Sequence, residues 1–297
     1  MSRTVSPSAQ RPYGLARTCR VLELPRSTVY ATRARRLHPV PLRKRGPKTL
    51  WTDATLTARI RGVLADSPFV GEGYRKVWAR LRLAAEPVRT SKGRVLRLMR
   101  VAGLLAPLRV GHAHGPKAHD GTIIPDAPDV MWGTDATSCL TSDGHATIFF
   151  AVDHFTAECV GIHAARRGTR FEALEPLRQG VRTIFGTYAE EVATGLSLRH
   201  DHGSQFLSDH FQTELTFLGI ASSPAFVREP EGNGCAERFV RPLKKQLLWL
   251  QPFATVEELR LALLAFKDRY NAAWPIERHR HQTPAAVRAA FAADAAA

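Results

Sequence analysis

Between Val130 and Arg166 the chain passes through three β-patterned segments with almost nothing between them, and this run limits the fold more than any other stretch. "VMWGTDATSCL", "GHATIFFAVDHFT" and "AECVGIHAAR" are rich in β-branched and aromatic residues, which suit a pleated, half-buried surface. Asp143–Gly144 fits the tight turn of a hairpin between the first two. Three adjacent antiparallel strands are therefore predicted. A helical pattern follows over about 169–186, then a strand ending at Arg199–His200, a helix over 205–218 and a short strand near "IASSPAF". Beyond the loop "EPEGNG", a long helix is predicted from about 233 to 249. Strands that give way to alternating helices and strands make an α/β mixed sheet with helices on its faces.

The part before this sheet has a different character. Residues 1–120 carry 25 Lys and Arg against 6 Asp and Glu, whereas residues 121–297 carry 17 against 21. Charge segregated this strongly points to a polyanion-binding module ahead of a second function. Residues 14–36 predict two short helices around "ELP", resembling a helix-turn-helix whose second helix presents Arg33, Arg35 and Arg36. "HPVPLRKRGPK" reads as a basic Pro/Gly linker. From Thr52 to Ala106 three more helices are predicted, with Leu56, Ile60, Val77, Leu81, Val95, Leu96 and Met99 inward and Arg94, Arg97 and Arg100 outward. Residues 107–129 hold four Pro and three Gly and read as a linker. Its histidines, His112, His114 and His119, have no cysteine or acidic partners at zinc-ligand spacing. Domain boundaries are set at 1–47, 48–108, 109–127, 128–250 and 251–297.

Cysteines 19, 139, 159 and 235 are far apart, which suits a reducing cytoplasm better than a disulfide framework. The longest apolar run, "ATIFFAV", is far short of a membrane span, and no secretory signal pattern opens the chain.

Three acids stand out by position. Asp135 lies in the first strand, Asp201 ends the fourth, and Glu237 is on the helix after the glycine loop. If the first and fourth strands are neighbours, both aspartates meet at one place and the helix brings the glutamate over them. Asn233, Glu237 and Lys244 share roughly one helical face. Asn233 reads equally as a helix N-cap, and Asp201 with Gly203 and Ser204 behind it also reads as a turn. Asp153 reads as a strand-end turn residue. Clustered carboxylates repel one another without a cation, and hard oxygen ligands suit Mg²⁺. In-line phosphodiester transfer is served by two such ions.

As a set, "WGTDAT", "HDHGSQF" and "GNGCAERFVRPLKKQLLW" resemble the DDE transposases of the bacterial insertion-sequence-three family, whose core is similar to retroviral integrase. Thirty-five residues separate Asp201 from Glu237, and Lys244 falls seven after Glu237, as in that family. "GEGYRKVWARLR" and "TSKGRVLRLMRVAGLLA" resemble the helical DNA-binding part, and "YNAAWPIERHRHQTPAAV" the closing segment. The resemblance covers about residues 15–290. It implies an RNase H-like five-stranded core behind helix-turn-helix regions. It also implies metal-dependent cleavage and strand transfer at the ends of an insertion sequence. The implied catalytic and metal residues are Asp135, Asp201 and Glu237, with two Mg²⁺ replaceable by Mn²⁺. Lys244, Asn233, Arg33, Arg35, Arg36, Arg94, Arg97 and Arg100 are expected on DNA.

The implied partners are double-stranded DNA, further copies of the chain on DNA, and a helix-turn-helix protein from an upstream reading frame. The implied place is the cytoplasm, at the nucleoid. A domesticated, non-catalytic DNA-binding regulator is the alternative, and loss of an acid would mark it. Two departures stand out. Gly232-Asn233-Gly234 replaces the usual Asp-Asn-Ala, and Trp274-Pro275-Ile276 replaces an Arg-Pro-His stretch. The zinc module of retroviral integrases is absent.

Overall fold

The computed structural model of the protein describes residues 3–37, 50–106, 125–225 and 233–295. The two basic and Pro/Gly-rich linkers, with His112, His114 and His119, lie outside the described residues. The chain divides into two compact units, 1–50 and 51–297.

In the first unit α1 (Gly14–Val21) and α2 (Arg26–Leu37) form a hairpin. Glu23 takes the left-handed turn conformation between them, at φ 53°. Cys19 is the buried residue of α1, and α2 buries none. Leu22 is 47% exposed. Arg33, Arg35 and Arg36 stand exposed on α2, as expected.

The second unit begins with three helices, α3 (Asp53–Asp66), α4 (Tyr74–Leu83) and α5 (Lys92–Val101). The Thr52 and Ser91 hydroxyls accept from the amides of Thr55 and Arg94, so α3 and α5 each start on a side-chain cap. Leu56, Ile60, Val77, Leu81, Val95, Leu98 and Met99 form their core. Leu98 takes the place predicted for Leu96, a shift of two positions on the inner face of α5.

The sheet follows as β1 (Met131–Thr141), β2 (Gly144–Asp153) and β3 (Cys159–Ala165), then α6 (Arg170–Phe185), β4 (Ser197–His200), α7 (Asp209–Leu218) and β5 (Ala221–Pro224). Its order is β3-β2-β1-β4-β5. The first three strands are antiparallel, and β4 and β5 run parallel to β1. This is the expected RNase H-like mixed sheet. Thr141 pairs with Gly144, so the predicted hairpin closes over Ser142 and Asp143, with Gly144 at φ 111°.

Residues of β2 alternate between two cores. Ile148, Phe150 and Val152 pack toward α8 (Gly234–Leu243) and α9 (Val256–Ala273). Phe149 and Ala151 pack toward α6 and α7. The predicted helix 233–249 is α8 followed by one π-helical turn, Lys244–Leu248. Pro242 lacks an amide hydrogen for the helical ladder, and the wide turn begins two residues later. α10 (Pro284–Ala295) ends the described chain. Its Arg288 donates to Asp129 and Glu158, fastening the tail to the end of the meander where β1 and β3 begin.

Candidate active site

The sheet register brings the two aspartates together. Gly133 pairs with Arg199 in the parallel β1–β4 ladder, and two residues further along each chain stand Asp135 and Asp201. Asp135 pairs with Phe150 across the antiparallel ladder, and Phe150 belongs to the core under α8. Directly paired residues share a face, so Asp135 lies on the α8 side, where Glu237 stands exposed on the first turn of that helix. Each aspartate is oriented through one oxygen. Asp135 Oδ1 accepts from the Ala136 amide at 2.7 Å, and Asp201 Oδ1 from the Gly203 amide at 2.8 Å.

Burial raises the Asp135 carboxyl to about 6, and the charges of Asp201 and Glu237 push in the same direction while Lys244 opposes them. A carboxyl raised above its unfolded value contributes stability below about pH 4 and loses it as pH climbs through 6. In chelator, Asp135→Asn is therefore expected to be more stable than the parent at pH 7.5 by about 1–3 kcal/mol. The gain should vanish near pH 4. Thermal melts at the two pH values measure it, and a less stable variant at pH 7.5 would contradict the strain assigned to these acids.

α8 is tied to β1 by Asn233. This residue is 6% exposed, and its Nδ2 donates to the Thr134 carbonyl at 2.9 Å, one residue before Asp135. It makes no side-chain cap bond. A Cβ on Gly133 would lie 2.6 Å from both Asn233 Oδ1 and His154 Nε2, so glycine is what admits the helix here. Asn233 stands at the N-cap position of α8, as one sequence reading had it, but its side chain bonds the strand instead of the helix amides. It faces the sheet, so it is a positioning residue and not a DNA contact. Arg278 donates to the carbonyls of His154 and Phe155, and His279 Nε2 also meets Phe155 O, so the tail braces the same turn from outside. Asn233→Asp puts two acceptors face to face. It is expected to cost about 1–3 kcal/mol and to speed hydrogen exchange of the α8 amides above the global rate. Unchanged α8 protection would refute this role.

The histidines of "RHDHGSQF" are structural. His200 bridges the Ser222 hydroxyl at 2.9 Å and the Asp201 carbonyl at 2.7 Å, while His202 meets the Ala225 carbonyl. Burial holds the His200 ring below its usual pKa. These contacts clamp the end of β4 to β5 and fix where Asp201 emerges. Asp153 is the turn residue that was expected, accepting from the Thr156 amide and hydroxyl at 2.6 and 2.7 Å. Lys244 is half-buried at the junction of α8 and the π-turn, near enough to act on Asp135.

The arginines of α5 divide. Arg94 donates to Asp53 and to the Trp51 carbonyl, with its side chain 18% exposed. It is a brace between α3 and α5, a correction to its expected place on DNA. Arg97 also reaches Asp53 but remains half exposed, and Arg100 is exposed. The guanidiniums of Arg97 and Arg94, Arg97 first, hold the Asp53 carboxyl down at about 2.

Among the described residues no three His, Cys, Asp or Glu side chains are already gathered closely enough to hold a metal ion. The donor set around Asp135 nonetheless fits a hard divalent cation. It offers three carboxylates, one of them strained by the charge of the others, and an ion would relieve that strain. Among the described residues no helix is long and apolar enough to cross a membrane.

The integrase core domain model matches residues 218–284, and an HTH-like domain model matches residues 51–111. The chain is 27% identical over 289 residues to the transposase for insertion sequence element IS629 of Shigella sonnei, covering 94% of this chain and 93% of that protein. It is 28% identical over 214 residues to transposase InsD for insertion element IS2A/D/F/H/I/K of Escherichia coli, covering 70% and 69%. Among solved structures it is similar to the catalytic core domain of BIV integrase. That match has 19% identity, covers 57% of this chain and 99% of that chain, and has a TM-score of 0.41.

Proposed function

We propose that this chain, related to the insertion-sequence transposases through both its helical domain and its integrase core, cuts and joins DNA at the ends of a mobile element. The observation that carries the reading is the placement of Asp135 and Asp201 in register on neighbouring parallel strands, with Glu237 close enough to act on Asp135. Two Mg²⁺ held by these acids, or Mn²⁺ in their place, would stabilise the attacking and leaving oxygens of an in-line phosphodiester exchange.

The chain's own residues do the rest. Rigid strands hold the two aspartates. Glu237 rides on a helix whose approach is set by Asn233, and Lys244 meets a DNA phosphate beside the acids. Water or a DNA 3′-hydroxyl is the nucleophile, because the groups gathered here are acids and not a poised Ser or Tyr. Arg97 and Arg100 on α5, with Arg33, Arg35 and Arg36 on α2, bind the duplex; phosphate contacts position it. Further copies assemble on the DNA, an upstream-frame helix-turn-helix protein joins some of them, and the protein works at the nucleoid. A non-catalytic regulator is the weaker reading, since none of the three acids is lost from the sequence.

The test is a strand-transfer assay with labelled element ends. Nicking and joining are expected with Mg²⁺ or Mn²⁺ and not in chelator. Binding of ends without either reaction would favour the regulator.

A further inference from the structure

Outside the acids, the second unit has a groove of about 550 Å³ where the helical domain meets the C-terminal segment. Its floor is Trp78, whose Nε1 donates to the Thr90 carbonyl at 2.8 Å, so the indole is fixed. The Arg82 guanidinium stands 4.9 Å and the Lys92 ammonium 4.6 Å from the ring centroid. The opposite wall is Glu277, Arg280 and His281, and Glu277 leans 3.8 Å from Arg75. Three cations against one paired acid leave the groove positive.

His281 sets this groove apart from a chance basic surface. It is 8% exposed, its ring stands edge-on to Trp78 at 5.9 Å, and its Nδ1 is buried with no hydrogen-bond partner. Arg280 and His281 both lie in the left-handed region, at φ 55° and 68°. Non-glycine residues adopt it rarely, and it is often found where ligands are held. A buried ring nitrogen without a partner is costly unless something supplies one. The tautomer that carries its proton on Nδ1 would offer that donor to an incoming oxyanion. Cations already standing over the indole leave little room for a base to stack, which favours a phosphate over a nucleobase.

We propose that this groove binds a phosphate of the DNA backbone, pinning the strand at the junction between the helical domain and the C-terminal segment. The inference rests on the transposase reading for its ligand. Arg278, three residues before His281, holds the His154 turn that lies against Asn233 at Gly133. The groove wall and the support of α8 are therefore one short segment.

The experiment uses the full chain and a fluorescent element-end duplex, with anisotropy read across a salt series. The combined variant Arg82→Gln, Lys92→Gln, Arg280→Gln is expected to bind at least about tenfold more weakly. Its log–log salt slope should be shallower by about one, the loss of roughly one phosphate contact. His281→Phe keeps every charge and is expected to weaken binding about threefold through its lost ring nitrogen, a step of well under 1.4 kcal/mol. Thermal melts confirm that both variants fold. Full-strength duplex binding by either overturns the proposal. So does millimolar binding of inorganic phosphate with duplex affinity unchanged in both variants, since the groove would then serve a free anion. Strand transfer on the same duplex separates the two readings: groove-dependent binding without cutting or joining would keep the groove and reject the transposase.

Discussion

Asp201→Asn is expected to lose cleavage and joining by roughly a thousandfold or more, about 4 kcal/mol of transition-state stabilisation, while binding duplex DNA as the parent does. The substitution is nearly isosteric. The Asn oxygen still accepts from the Gly203 amide, the 2.8 Å bond that orients the carboxylate. Asp201 is exposed, so no core contact is lost, and His200 still clamps the strand end to Ser222. What disappears is the negative charge, and a neutral amide is a poor Mg²⁺ ligand. One change should even favour the fold, because Asp135 loses a neighbour that raises its carboxyl. Gel assays of nicking and joining, duplex anisotropy and a melt on one preparation decide the matter. Strand transfer at the parent's rate would end the carboxylate mechanism, whereas parallel loss of binding and melting temperature would assign Asp201 to the fold.

The elements that can be read from sequence are those whose signal is local. The β1–β2 hairpin is legible because alternation and Asp143–Gly144 agree within a few residues. The caps at Thr52 and Ser91 sit beside the helices they start. The juxtaposition of Asp135 and Asp201 needs one further step, that the first and fourth strands are neighbours, and parallel pairing of β1 with β4 meets it. Periodicity assigns a residue to a face but does not name its partner. Arg94 lies on an outward-looking stripe of α5, yet its partner Asp53 is 41 residues earlier. Asn233 and Thr134 are 99 apart. Nothing near Asn233 distinguishes an amide that caps a helix from one that fastens the helix to a strand. The π-turn at Lys244–Leu248 escapes for a related reason: Pro242 announces a disturbance in the ladder but not its form. Gln246 in that turn exchanges two 2.8 Å bonds with the Val70 backbone, a contact no local pattern foretells.

Gly161→Ala should unfold the five-stranded sheet domain or destabilise it by roughly 4 kcal/mol or more, beyond ordinary overpacking. A Cβ on Gly161 would lie 2.0 Å from the Pro176 carbonyl oxygen and 2.7 Å from its carbon. The obstacle is backbone, so no side-chain rotation relieves it. Nor can β3 retreat. Its inner side is paired with β2, the Ile162 amide donates to Gln179 on α6, and Asn271 on α9 both accepts from the Cys159 amide and donates to its carbonyl. These side chains also occupy backbone groups of an edge strand that would otherwise offer itself for pairing. α6 is held as firmly, with Leu174, Leu177 and Val181 fully buried. Gly62 in the middle of α3 is the control, because a Cβ there meets nothing within 4 Å. Gly62→Ala should stabilise by about 0.5–1 kcal/mol, the backbone entropy that glycine forfeits in a helix. Denaturant unfolding of both variants beside the parent reads the contrast, and a Gly161→Ala protein as stable as the parent would mean that α6 does not lie against β3 as closely as described.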